Sequence, residues 1–286
     1  MNDFWQKIER NEDLPTLPVV MAKLIETIND DRSSASDVKK TMEKDPAISA
    51  RVLKLANSAF YGLRHRVDNL QRAIVILGFE TVRMLALSTT VLDLFTTKSQ
   101  LAFSPKDFWL HSLGSAKSAQ LLAQKINSAS SPETLFTAGL LHDIGKYCIA
   151  LTFKNEYKNL VEKASTQKIQ IRKLEKEYLG HTYIEVNQWL AQKWHFPETL
   201  WYPLVYHNTP DSSDNKYPLE SWIIQISSEI ARANNFGYAG DFNHIDIKVT
   251  PLFANRLNEL IINEASNSLG AFLKEAEDFL SEFRVT

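Results

Sequence analysis

The order of apolar and polar residues along the chain predicts helices throughout. Residues 19–28 carry apolar side chains at every fourth position, as on one face of an α-helix. Asp45 followed by Pro46 is a typical helix start. Residues 70–95 are almost continuously apolar, and we predict two buried helices there that join near Gly78.

The second half of the chain continues this helical pattern. We predict further helices from residue 104 onward and over residues 130–153, 154–178, 181–197, 219–234 and 251–284. The polar segment 208–218 is the clearest loop, because turn-forming residues cluster in it. No stretch shows the strict alternation of a half-buried strand. The predicted fold class is therefore all-α.

Composition narrows the class of protein. The chain has 286 residues, with only 9 glycines and 10 prolines to interrupt its helices. Its net charge of −2 provides no basic field for nucleic acid. The apolar runs are far shorter than the about 20 residues of a membrane span, and the single cysteine, Cys148, cannot form an internal disulfide. We expect a cytoplasmic protein without membrane insertion, with Cys148 as a small buried residue.

A histidine and an aspartate stand side by side in the apolar stretch LLHDIGK, residues 140–146. On a helix, His142 and Asp143 would lie about 100° apart and could face one point, with Lys146 on the same side. A buried carboxylate is costly without a partner, so Asp143 needs one. From these residues alone, that partner is a metal ion, His142, Lys146 or a donor from another helix.

Together with three segments of the N-terminal half, this stretch resembles a known family. The segments LPTLPVVMAKLIETI, DVKKTMEKDPAISARVLKLANSAFYG and LQRAIVILGFETVRMLALSTTV are similar to the HDOD family, the HD-related output domain of bacterial signalling proteins. The similarity extends over roughly residues 14–230. It implies an HD-like helical bundle with C-terminal helices over residues 101–286 and an N-terminal helical lobe over residues 1–100.

The resemblance extends to the HD superfamily of metal-dependent phosphohydrolases, but the chain departs from that pattern in three blocks. In GHTYIEVNQWLAQKWHFP, Tyr183 stands at the histidine position and Asn187 at the second glycine position. Asn208 follows His207 where the superfamily has two histidines. Ser228, in IIQISSEIAR, stands where a late aspartate is expected.

The resemblance implies a reduced set of metal ligands: His111, His142 and Asp143, with His207 as a further candidate. A neutral hydroxyl at the late aspartate position is a poor substitute for an anionic ligand, so metal affinity should fall. We expect no tightly bound cofactor, and at most one weakly held divalent ion of iron, zinc, manganese or nickel. Lys146 is the candidate contact for a phosphate.

Two functions from different classes remain open. The first is a non-catalytic signalling module that binds a partner protein or a small ligand, with Asp143 paired so that it holds helices together. The second is a metal-dependent phosphohydrolase with an altered ligand set. Nucleic-acid binding rests only on Arg64, His65 and Arg66, and the near-neutral charge argues against it. The sequence identifies neither the partner nor the oligomeric state.

Overall fold

The computed structural model describes residues 3–30, 32–57, 65–95, 101–126, 128–241 and 249–282. Within these ranges the regular secondary structure is helical, and no strand occurs among them. The predicted all-α class is confirmed.

The helices before residue 100 match the predicted pattern. They are α1 (Asp3–Arg10), α2 (Val19–Asn29), α3 (Ala35–Met42), α4 (Pro46–Ala56), α5 (Leu70–Leu77) and α6 (Phe79–Leu94). Asp45 caps α4, because its carboxylate accepts hydrogen bonds from the backbone nitrogens of Ala47 and Ile48 at 2.9 and 3.2 Å. Gly78 joins α5 to α6 with a φ of 89°, a conformation that favours glycine.

Of the described helices, none alone has the length and hydropathy of a membrane span, and α5 and α6 pass that test only as a pair bent by 120°.

The second half of the chain builds a bundle around one long buried helix. Its helices are α7 (Pro105–Ile126), α8 (Pro132–Leu141), α9 (Ile144–Thr152), α10 (Lys154–Gln167), α11 (Ile171–Leu179), α12 (Tyr183–Lys193), α13 (Glu198–Tyr206), α14 (Pro218–Ala233), α15 (Pro251–Ala254), α16 (Glu259–Leu269) and α17 (Leu273–Glu282). Helix α7 packs against both α8 and α14. His111 lies on α7, Ser228 lies on α14, and His142 directly follows α8.

Small residues bring the helices of the bundle close together. A Cβ on Gly139 of α8 would lie 2.8 Å from the Cα of Ala116 on α7, which is too close for any side chain. A Cβ on Gly145 of α9 would collide with the backbone of Tyr183 on α12. Both glycines are therefore required by helix packing, which places the His-Asp doublet between them in a tightly packed interior.

Two of the predicted helices are interrupted. The helix predicted over residues 130–153 ends at Leu141 and restarts at Ile144. The reason is Asn187, whose side-chain nitrogen donates to the carbonyl of His142 at 2.6 Å and whose oxygen accepts from the nitrogen of Gly145 at 2.8 Å. The side-chain amide thus occupies backbone groups that a continuous helix would pair internally.

The predicted polar helix over residues 154–178 is also divided. Lys168 ends α10 in the left-handed conformation, with a φ of 53°. The C-terminal stretch forms the separate helices α15, α16 and α17. Helical periodicity predicted where these segments are helical, but it did not predict where they break.

The predicted division of the chain near residue 100 stays a prediction. Helix α6, before that position, packs against α4 on one side and α8 on the other. Helix α1 packs on α9, where Phe4 stacks on Phe153 with ring centroids 5.1 Å apart. Apolar contacts therefore cross the predicted boundary at two places.

Candidate functional site

Three separate parts of the bundle bring four polar side chains together. His111 comes from α7, His142 and Asp143 from the turn between α8 and α9, and Ser228 from α14. The side chains are almost completely buried, because the first three residues are 1% exposed and Ser228 is 3% exposed. The predicted ligands His111, His142 and Asp143 do form one cluster, which we call the His-Asp cluster together with Ser228.

The polar atoms of the His-Asp cluster lie close to one another. The Oδ2 atom of Asp143 lies 3.3 Å from Nε2 of His142 and 3.7 Å from Nε2 of His111. The Oγ atom of Ser228 lies 3.2 Å from both of these nitrogens. Ser228 therefore occupies the cluster position at which the sequence pattern expects the late aspartate.

The spacing of the three ligand atoms fits a single metal ion. Metal–ligand bonds of about 2.1 Å in tetrahedral geometry separate neighbouring ligand atoms by about 3.4 Å. Within the described ranges, these ligand atoms of His111, His142 and Asp143 form the group that lies within 4.8 Å of one another. One carboxylate does not supply the bridging anions that a pair of ions requires, so the set fits one ion at most.

Asp143 already has a cationic partner in the protein. The ammonium of Lys146 donates to Oδ2 of Asp143 at 2.9 Å and to Oδ2 of Asp241 at 2.7 Å. Burial acts to raise the pKa of Asp143, but His142 and Lys146 hold that pKa well below its usual value. Burial acts to lower the pKa of Lys146, and the two carboxylates raise it above its usual value instead. The pair is therefore ionised at neutral pH.

Lys146 faces inward rather than toward a substrate. Its side chain is 1% exposed, and the ammonium also lies 4.5 Å from the centre of the Tyr183 ring, a cation–π contact. Asp241 binds Lys146 and, through its other oxygen, the backbone nitrogen of Ile171 at 2.9 Å. The predicted phosphate contact through Lys146 stays a prediction, and this geometry gives it no support.

When both histidine rings are neutral, their hydrogen-bond partners indicate which ring nitrogens carry a hydrogen. The carbonyl of Gly139 can only accept, so Nδ1 of His142 donates to it at 2.7 Å, and Nε2 of that ring is an acceptor. Ser228 then donates its hydroxyl hydrogen to His142 and accepts from Nε2 of His111. Burial lowers the pKa of His111 well below its usual value, which keeps that ring neutral.

A third partner completes the surroundings of Ser228. The Nη2 atom of Arg232 donates to Oγ of Ser228 at 2.8 Å, and its Nη1 atom binds the carboxylate of Glu229. A hydroxyl has one hydrogen to donate and two lone pairs to accept with. With both rings neutral, His142 accepts the hydrogen, and the two lone pairs accept from His111 and Arg232, so the hydroxyl of Ser228 is saturated.

His207 belongs to a neighbouring network. It is 3% exposed, its Nδ1 donates to the carbonyl of Leu204 at 3.0 Å, and its Nε2 lies 3.2 Å from the hydroxyl of Tyr183. Asn208 donates to that hydroxyl at 2.6 Å. Burial lowers the pKa of His207 to about 3. His207 lies outside the group of ligand atoms within 4.8 Å, and its role as a ligand stays a prediction.

The remaining singled-out residues lie away from the His-Asp cluster. His65 and Arg66 are exposed, and Arg64 lies outside the described residues. Cys148 is buried, as predicted, and burial raises the pKa of its thiol. It lines a separate cavity of about 320 Å³ between α1 and α12, together with Ile8, Phe95 and Trp194.

The sequence matches a known protein family. The model of the HDOD domain matches residues 14–210, more than half of the sequence. The chain belongs to the HDOD family. The match ends at residue 210 rather than at the predicted 230, so α14, with Ser228 and Arg232, lies beyond the matched HDOD segment.

Solved structures share the HDOD fold. An HDOD domain protein of unknown function from Geobacter sulfurreducens has a TM-score of 0.72 at 22% identity, over 98% of this chain and 94% of that one. A protein from Shewanella amazonensis named as a candidate phosphohydrolase has a TM-score of 0.73 at 26% identity, over 98% and 97%. A Marinobacter aquaeolei protein named for signal transduction has a TM-score of 0.77 at 19% identity, over 97% and 64%.

A curated relative matches part of its own length. This protein from Treponema pallidum is 23% identical over 216 residues, which make up 75% of this chain and 42% of the relative. The chain thus spans less than half of that protein.

Sequence reasoning missed two charged residues that contact the His-Asp cluster and Lys146. Arg232 stands four positions after Ser228 on α14, so the helical spacing placed it on the same face and could have revealed it. Asp241 follows α14 and reaches Lys146 across 95 positions of sequence. No local pattern indicates such a contact.

Proposed function

We propose that this chain is a non-catalytic HDOD signalling module, in which the His-Asp cluster joins helices instead of hydrolysing a phosphoester. The observation that carries the proposal is the pairing of Asp143. Its Oδ2 atom accepts from Lys146 at 2.9 Å, in a cluster where Ser228 stands in place of a second carboxylate. Hard divalent ions favour several oxygen ligands, and the one carboxylate here shares its charge with an ammonium.

The cluster has a structural role that explains its composition. Ser228 links α14 to His111 of α7 and to His142 at the end of α8, with both distances at 3.2 Å. Asp143 and Lys146 add the start of α9 to the same network. The paired members of such a buried network hold their elements in one arrangement. Two atoms of the cluster, Nδ1 of His111 and Oδ1 of Asp143, are buried without a hydrogen-bond partner among the described residues.

Such a module acts through what it binds, and its partner would be a signalling protein or a small ligand. The cavity beside Cys148 supports the small-ligand alternative. Its volume of about 320 Å³ lies in the range of small-molecule sites, and both apolar and charged side chains line it. The near-neutral net charge of −2 argues against nucleic acid as the partner.

The test is a search for turnover. The purified full chain is incubated with bis-(p-nitrophenyl) phosphate, a nucleotide and a cyclic dinucleotide, with Mn²⁺, Fe²⁺ or Ni²⁺ added, and compared with the His142→Ala variant. We expect no hydrolysis above that of the variant. Metal-dependent hydrolysis that His142→Ala abolishes would contradict the proposal.

A second candidate is a metal-dependent phosphohydrolase with one ion. The spacing of the three ligand atoms favours it, and so does the name of the Shewanella amazonensis relative. His111, His142 and Asp143 would hold the ion, which would supply a Lewis acid and an activated water. Metal analysis of protein purified without chelator separates the candidates, because this one requires stoichiometric metal that His111→Ala removes.

A further inference from the structure

We propose that Arg232 is a positioning residue that keeps divalent metal out of the His-Asp cluster. This inference rests on the non-catalytic function proposed above and adds a cause to it. The loss of the late aspartate weakens a metal site. Arg232 opposes metal binding in two further ways, because it occupies a lone pair of the Ser228 oxygen and adds a positive charge beside the cluster.

The first argument is the geometry of Ser228. A serine hydroxyl can itself bind a metal weakly through a free lone pair. Here one lone pair accepts from Arg232 at 2.8 Å. With both rings neutral, the other lone pair accepts from Nε2 of His111 and the hydrogen goes to Nε2 of His142, both at 3.2 Å. A metal would have to displace these bonds before the oxygen or the His111 nitrogen could become a ligand.

The second argument is charge. The guanidinium of Arg232 donates a hydrogen bond to Oγ of Ser228, and that oxygen lies 3.2 Å from Nε2 of both His111 and His142. Arginine stays protonated at any accessible pH, so a permanent positive charge lies beside the three ligand atoms. Glu229 binds the guanidinium from the other side, with only 9% of its surface exposed, and holds it in this position.

The two arguments lead to different expectations for two substitutions. Removal of the guanidinium by Arg232→Met frees a lone pair of Ser228 and leaves the carboxylate of Glu229 near the cluster, which favours a cation. Restoration of the expected carboxylate by Ser228→Asp places that group beside Arg232 on the same helix face, where the two form an ion pair. The added carboxylate is then not available to a metal.

The experiment measures metal affinity and needs no substrate. Co²⁺, Mn²⁺ and Zn²⁺ are titrated by calorimetry, with the visible absorption of Co²⁺ as a report on its ligands, into wild type, Arg232→Met, Ser228→Asp and the double variant. Arg51→Met is the matched control, because Arg51 also forms a half-buried pair, with Asp93 at 2.6 Å, but on α4 and α6. Circular dichroism checks that each variant is folded.

We expect weak binding by wild type, Arg51→Met and Ser228→Asp. Arg232→Met should bind at least tenfold more tightly, the double variant more tightly still, and His111→Ala should abolish both gains. The Tm of Ser228→Asp without metal should rise, because the new ion pair forms. That rise, with unchanged metal affinity, supports the inference even if Arg232→Met does not fold.

The outcomes that overturn the inference differ from those that overturn the function. Tight stoichiometric binding by wild type would remove both. A folded Arg232→Met that binds no more tightly than wild type would remove this inference and leave the non-catalytic function standing. Tight binding by Ser228→Asp alone would do the same, because Arg232 would then have failed to hold the added carboxylate.

Discussion

Asp143 and Lys146 form a buried ion pair at the centre of the molecule, with a distance of 2.9 Å and with 2% and 1% of their side chains exposed. The pair lies at the junction of α8 and α9, where a doublet of the HD type would present its aspartate to a metal. An ammonium on that aspartate changes what the cluster can do. It neutralises the carboxylate through Oδ2 from within the chain, whereas the buried Oδ1 atom has no hydrogen-bond partner among the described residues.

Substitution of Lys146 should therefore be costly. Lys146→Met leaves Asp143 and Asp241 without their shared cation, and we expect the free energy of unfolding to fall by about 3–5 kcal/mol at pH 7. Urea denaturation measures this. Lys154→Met is the control: its pair with Asp13 is about half exposed and should contribute less than about 1 kcal/mol. Equal effects of the two substitutions would show that the buried pair does not stabilise the fold.

Asn187 should be needed for the break between α8 and α9. Its amide pairs with the nitrogen of Gly145 and with the carbonyls of His142 and Leu204. Asn187→Ala leaves these buried groups unpaired, and we expect a loss of about 2–4 kcal/mol in thermal or urea unfolding. Asn29→Ala removes an exposed bond to His195 and should change stability by less than about 1 kcal/mol. If Asn187→Ala lowered the free energy of unfolding by less than about 1 kcal/mol, this would contradict the role of Asn187 at the helix break.

Glu175 should make the protein less stable as the pH rises from 4.5 to 7. Burial raises its pKa from 4.5 to about 7, although Tyr157 and the nitrogen of Tyr183 donate hydrogen bonds to it. In this range the folded state holds a proton that the unfolded state has released, so stability falls with pH, by up to about 3 kcal/mol.

The comparison of Glu175→Gln with wild type isolates this effect. The variant cannot ionise, so its stability relative to wild type should rise between pH 4.5 and 7. Glu162→Gln, at an exposed position on α10, should show no such trend. Parallel pH profiles for wild type and Glu175→Gln would rule the effect out.

His207 should make the protein less stable as the pH falls, which is opposite to the effect of Glu175. Burial lowers its pKa from 6.5 to about 3, so the folded state keeps the ring neutral while the unfolded state becomes protonated. Its contribution is complete above pH 6.5 and is lost as the pH falls, by about 2 kcal/mol between pH 6.5 and 5.

Unfolding by urea at several pH values tests this on His207→Gln. Between pH 6.5 and 5 the variant should lose less stability than wild type does. His195→Gln is the matched control, because His195 is exposed on the same half of the chain. A wild-type profile as flat as that of His207→Gln would contradict the neutral buried ring.

The sequence predicted the helices well where a helix depends on the spacing of its own apolar side chains. The Asp45 cap, the turn at Gly78 and the meeting of His111 with the His142–Asp143 doublet all appear in the structure as expected. The breaks at residues 142–143 and at Lys168 were missed. The first depends on Asn187, which reaches the break from 45 positions away. Periodicity is a local property and contains no information on such contacts.

The residues along the chain thus specified helix positions, the all-α class, the HDOD resemblance and the position of Lys146 on the same side as Asp143. Each of these follows from local sequence. The packing of α7, α8, α9 and α14 determined that Ser228 bridges both histidines and that Asp241 shares Lys146. These contacts join residues that only the folded core brings within hydrogen-bonding distance. The charge balance of the site therefore follows from tertiary structure.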